Sequence, residues 1–208
     1  RVVAVDGAGN LGEDTSDAVF SIVPPAGGLV PTTLRDFDMP GSQPFESGVV
    51  LADAGYCASC HGDYEPTVEP HANWQGSIMA HASIDPLFKA NLAIANQDAP
   101  ESGDLCLRCH NPRGWLQGRS VPTDGSRMEP ADLAGVSCDL CHRMVDPVFE
   151  PSVSPSRDEE ILAALGFPGT ETGNGMMVVD PASYPRGPFG DAESPHHFVP
   201  SAFHADSA

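Results

Sequence analysis

The chain has 208 residues and a formal charge of −19, from 29 acidic against 10 basic side chains, with 21 glycines, 21 prolines and 7% aromatic residues. So acidic a surface argues against nucleic acid and anionic membranes as partners, and no apolar run nears the roughly 20 residues of a membrane-spanning helix. With so little large apolar area to offset ordering entropy, the composition predicts a mainly loop fold with short α-helices, its core filled by something other than side chains.

Residues 1–5 and 18–23 read as strands around the turn-forming Asp6-Gly7-Ala8-Gly9-Asn10, a small N-terminal β-hairpin over residues 1–23. Two strands alone are barely stable, and the acidic turn lacks the full pattern of a calcium loop. Pro24-Pro25-Ala26-Gly27-Gly28 opens a linker over 24–44. The main domain, 45–208, is expected to start with a helix running into Cys57. Asp85-Pro86 signals a second helix, Asp as N-cap and Pro at the first helical position, with Phe88, Leu92 and Ala95 on one face. Ser156 with Glu159 reads as a capping box for a third helix that stops at Gly166 and buries Ile161, Leu162 and Leu165. Met128, Met144, Met176 and Met177 are read as packing.

All six cysteines lie in three copies of one pattern: Cys57-Ala58-Ser59-Cys60-His61, Cys106-Leu107-Arg108-Cys109-His110 and Cys138-Asp139-Leu140-Cys141-His142. C-x-x-C-H is the attachment signal for c-type haem. Thiols one helical turn apart reach the two vinyl groups of one porphyrin, and the adjacent imidazole reaches its iron. Zinc sites pair two C-x-x-C units and need no histidine after each. A thioredoxin-like motif occurs once, in a βαβ setting. Neither a disulfide framework nor an iron–sulfur site explains three histidines at one spacing. The motifs therefore predict three haem c groups held by Cys57, Cys60, Cys106, Cys109, Cys138 and Cys141, with His61, His110 and His142 as proximal ligands. Only 44 residues (62–105) and 27 residues (111–137) separate them, which keeps the three sites close.

Five histidines remain for the distal positions: His71, His81, His196, His197 and His204. Residues 143–208 contain no cysteine, so a histidine-rich tail makes sense if it folds back to donate ligands. His197 and His204 are the first choices there, with His196 as substitute for His197, and His71 as a further alternative. Arg108, Arg113 and Arg143 are candidates to meet haem propionates.

The stretch from Tyr56 to Asp146 resembles the multihaem cytochromes of the cytochrome c-554 type, a group sharing haem-packing motifs with hydroxylamine oxidoreductase and pentahaem nitrite reductase. The three motifs carry the resemblance, with Trp74-Gln75-Gly76-Ser77-Ile78-Met79-Ala80-His81-Ala82, Asp85-Pro86-Leu87-Phe88 and Asn111-Pro112-Arg113. In that group a W-x-x-S-x-H-A segment supplies a distal histidine. Here Met79 stands at the histidine position and His81 two residues on, so the resemblance implies His81, with Met79 as the alternative. It also implies electron transfer with redox proteins or other cytochromes in the periplasm or outside the cell. Two alternatives belong beside it: a multihaem redox enzyme of nitrite or hydroxylamine type with one open iron, and a homo-oligomeric subunit of an extracellular cytochrome filament. The hairpin resembles the end of an immunoglobulin-like or fibronectin type III-like domain. Members of the group often place another C-x-x-C-H after a segment like Ser201-Ala202-Phe203-His204, so the chain is expected to be part of a longer cytochrome, with an export leader upstream.

Overall fold

The computed structural model describes residues 2–5, 11–14, 31–169 and 175–206, and the chain divides into two compact units, residues 1–31 and 32–208. In the first, β1 (Val2–Val5) pairs antiparallel with β2 (Leu11–Asp14), Val2 opposite Asp14 and Val5 opposite Leu11. The partner expected at 18–23 lies outside the described residues; the segment seen paired with β1 is the nearer Leu11–Asp14. Closing the shorter loop is entropically cheaper.

The second unit is loop threaded by short helices: α1 (Ala54–His61), α2 (Pro70–Gln75), α3 (Pro86–Asp98), α4 (Gly103–His110), α5 (Pro112–Leu116), α6 (Cys138–Cys141), α7 (Ser156–Ala163) and α8 (Ala202–Asp206). Two short parallel strands, β3 (Arg186–Gly187) and β4 (Val199–Pro200), join the ends of the tail. Among the described residues no helix is long and apolar enough to cross a membrane.

Local chemistry accounts for the helix starts. The Asp85 carboxylate accepts from Leu87 N at 2.9 Å and Pro86 takes the first helical position of α3. Asp53 caps α1 in the same way through Gly55 N at 2.8 Å. α7 departs from expectation, because Pro155 occupies the cap position and Ser156 is already helical, so no capping box forms. Its acidic first turn is used differently: Asp158 is buried against Arg186.

The apolar core is small. Val49 and Leu51 ahead of α1, Phe88 and Leu92 of α3, Leu107 of α4, Trp115 and Leu116 of α5, Leu140, Met177 and Val179 form one cluster. Phe88 and Leu92 are inward as expected, while Ile161, Leu162 and Leu165 are only half-buried. Ionic groups complete the interior. Asp132, at 0% exposure, receives Arg119 bidentately at 2.7 and 2.6 Å and Arg113 at 3.1 Å. Arg113 also donates to Leu51 O at 3.0 Å, tying α5 to the segment before α1. Burial alone would raise the Asp132 carboxyl, but the Arg119 and Glu129 hydrogen bonds and both guanidinium charges hold it below its ordinary value. Removing one partner of a buried ion pair leaves uncompensated charge. Asp132→Asn should therefore lower unfolding free energy by about 3 kcal/mol in a denaturant titration of the intact protein.

Candidate functional site

Helical geometry sets the three cysteine motifs. The first closes α1, the second closes α4, and the third forms α6 with His142 as its C-terminal cap. In each, cysteines three apart and the next histidine share one face. All six thiols are free. The Cys57 and Cys138 thiols perturb one another, Cys138 being drawn down to about 7 and Cys57 pushed up. The first and third motifs are neighbours, α1 packing against α6. Among the described residues no three His, Cys, Asp or Glu side chains converge as a cage for a bare ion; the thiols are set out in pairs along helices.

Two of the three motif histidines are oriented by a carbonyl at Nδ1. His110 Nδ1 lies 2.8 Å from Ala82 O, and His142 Nδ1 lies 2.7 Å from Arg186 O. A carbonyl can only accept, so Nδ1 carries the proton in both rings and Nε2 keeps its lone pair for a metal. Phe88 stacks on the His110 ring at 3.9 Å and 3°. Arg186 N donates back to His142 O at 2.6 Å, so one residue grips both the backbone and the ring of His142.

The tail folds back onto the motifs. His204 of α8 lies 6.5 Å from the His142 ring, centroid to centroid, with the planes 15° apart. His196 lies 6.4 Å from His61 with planes at 47°. Two imidazoles binding opposite sides of one metal at about 2 Å per bond have centroids roughly 6 Å apart, which is the spacing of both pairs. His196 Nδ1 donates to His197 O at 3.1 Å, leaving its Nε2 available. His204 Nε2 donates to Cys141 O at 2.9 Å, and its Nδ1 is buried with no partner. Burial keeps the His204 pKa below the usual histidine value, the Cys141 carbonyl pulling the other way. His197, the first choice from sequence, packs on Tyr184 at 4.8 Å.

His71 packs on Trp74 at 5.6 Å and its Cβ lies against Gly62, the residue that follows His61. Met79 and His81 are exposed, on a segment fixed by Trp74 Nε1 to Val136 O (2.8 Å) and Val136 N to Met79 O (3.0 Å). Gly135, at φ 62°, lets the third motif approach this closely, since a Cβ there would meet the Met79 carbonyl. His81 is next in sequence to Ala82, whose carbonyl meets His110 at Nδ1, the ring nitrogen away from the free Nε2.

This donor set fits haem c. Each site offers paired thiols and a histidine on one helical face, two motif imidazoles present Nε2, and a buried orphan nitrogen waits on His204. Large apolar side chains beside the motifs are open to solvent, Tyr56 at 79%, Ile78 at 89% and Leu87 at 73%, as a porphyrin-binding surface requires. Of the arginines expected to meet propionates, Arg113 binds Asp132 and Arg143 is buried among carbonyls and Asp139. Arg108 lies over Trp115 and donates to Pro40 O through Nη2, while its Nε and Nη1 are buried without a partner.

Sequence reading missed Asp158, Asp180 and Arg186. Arg186 reaches Asp158 at 2.7 Å and Asp180 at 2.7 Å, and Asp180 takes a bidentate pair from Arg157 at 2.8 and 2.7 Å. The available signal was scarcity: with 10 basic residues among 208, each arginine was a candidate for an internal role. Burial would raise the Asp180 carboxyl, but hydrogen bonds from Arg157, Arg186 and Ala182 N hold it below its usual value. Its folded pKa lies below the unfolded one, so its stabilisation is complete above about pH 4 and is lost as pH falls through the folded value. Urea midpoints measured from about pH 5 down to about pH 2 should fall in the wild type, and fall less in Asp180→Asn.

The family model described as cytochrome c554 and c-prime matches residues 56–143, a stretch that includes all three C-x-x-C-H motifs. Over this stretch the chain resembles the c-type cytochromes of that family. No curated protein and no solved structure matches it.

Proposed function

We propose that this chain is a c-type cytochrome that transfers electrons through three haem c groups, held by Cys57 and Cys60, Cys106 and Cys109, and Cys138 and Cys141. His61, His110 and His142 are the proximal ligands, His196 the distal ligand facing His61, and His204 the one facing His142. A haem at each motif supplies a reversible one-electron iron couple. The chain's part is to hold the His110 and His142 imidazoles in the ligating tautomer, to supply apolar cover and to keep the sites near one another. One observation carries the reading: His110 and His142 each give Nδ1–H to a backbone carbonyl and keep Nε2 free beside a pair of thiols. The packing of α1 against α6 supports close spacing of the first and third sites. Covalent attachment of this kind follows export, which supports a periplasmic or extracellular location.

The intact protein should show three c-type haems per chain by pyridine haemochrome and intact mass, and any other count overturns the proposal. His204→Ala should keep all three covalent attachments and turn one iron of the three high-spin in the ferric electron paramagnetic resonance spectrum. His196→Ala should do the same for a second iron.

A second reading is favoured by the position of His81 next to Ala82, whose carbonyl meets His110 at Nδ1, which leaves His81 poorly placed to cap the second iron. In that reading the second site is exchangeable and the protein is a redox enzyme. Cyanide binding to one iron per wild-type chain, with a high-spin signal before addition, is its expected signature; three low-spin irons that ignore cyanide exclude it.

A further inference from the structure

Behind the third motif lies a buried ionic cluster of three arginines and three aspartates. Arg143 pairs with Asp139 at 3.1 Å, Arg186 with Asp158 and Asp180 at 2.7 Å each, and Arg157 with Asp180 at 2.7 Å. The side chains of Asp180 and Arg186 are at 0% exposure, and that of Arg157, at 30%, marks the rim. Arg143 Nε and Nη2 also donate to Asp180 O, at 3.0 and 2.6 Å, which links the two halves of the cluster. The formal charges cancel.

The cluster also touches the metal-ligating rings. Arg186 is the residue whose carbonyl receives His142 Nδ1 and whose amide binds His142 O. It lies in β3, and β3 pairs with β4, which runs through Ser201 into α8 and His204. Ser201 N donates to Gly187 O at 2.9 Å, fixing where α8 begins. A single anchored strap therefore holds the Nδ1 edge of His142 and brings the His204 ring to within 6.5 Å of it.

We infer that Arg186 is a positioning residue for both axial histidines of the third site, and that the cluster of three arginines and three aspartates around it sets the reduction potential there by holding local charge at zero. This rests on the proposal that His142 and His204 ligate one iron. Charge buried in a low-dielectric interior is little screened. An uncompensated aspartate favours the more positive ferric state, and an uncompensated arginine favours the ferrous state. The two kinds of loss should move the potential in opposite directions, whereas simple loosening of the fold would move it one way.

The test is a spectropotentiometric titration of the holoprotein as wild type, Asp158→Asn and Arg186→Gln, with haem counted in each. One of three midpoint potentials should rise in Asp158→Asn and the same one should fall in Arg186→Gln, while the other two stay in place. If Arg186→Gln does not accumulate folded, Arg157→Gln at the rim removes a cation from the same cluster and should lower that potential by a smaller amount. Shifts of one sign in both kinds of variant, or no shift with haem intact, overturn the inference alone. A wild type without haem on Cys138 and Cys141 sinks the underlying proposal, and this inference with it.

Discussion

The guanidinium of Arg143 gathers Val50 O, Asp180 O, Pro181 O and the Asp139 carboxylate around a single side chain. Three segments far apart in sequence meet there: the strand-like entry to α1, the third motif, and the residues leading into β3. An arginine fork can satisfy several acceptors in fixed directions, which a lysine could not. Asp139 extends the knot by accepting Ala52 N at 2.6 Å. Much of the second unit hangs from this arrangement, because the apolar cluster is too small to specify the placement of so many loops.

A similar device recurs at Asp132, where Arg113 and Arg119 converge on a fully buried carboxylate next to the second motif. The pattern suits an acidic chain. Repulsion among surface carboxylates is unfavourable to a compact state, and placing scarce cations inside, each against named acceptors, turns charge into geometric specification. Such pairs contribute less through net energy than through the high cost of breaking them. That places rigidity next to the second and third motifs, while the surfaces beside the motifs stay apolar and open.

The local features were legible in the sequence. Three repeated pentapeptides identify their own chemistry, and Asp85-Pro86 starts a helix by rules that need only neighbouring residues. What escaped is non-local. Pro155 displaced Ser156 from the cap of α7 because Asp158 was drawn to Arg186, 28 residues on. The tail pattern Pro195-His196-His197 could not say which ring turns toward His61, since the two alternate in direction; the structure turns His196 that way and lays His197 on Tyr184. The pairing of β1 with Leu11–Asp14 was not legible, because that segment is weakly β-prone.

The contact of His204 with Cys141 spans 63 positions of chain, and that distance has a temporal meaning. A polypeptide emerges with its N-terminus first, so the first two motifs are available well before the strap is. Contacts of long sequence separation close late, after the loop-closure entropy has been met. The pairs His61–His196 and His142–His204 are both contacts of this kind, so each waits for the tail to be made, however early its motif emerged.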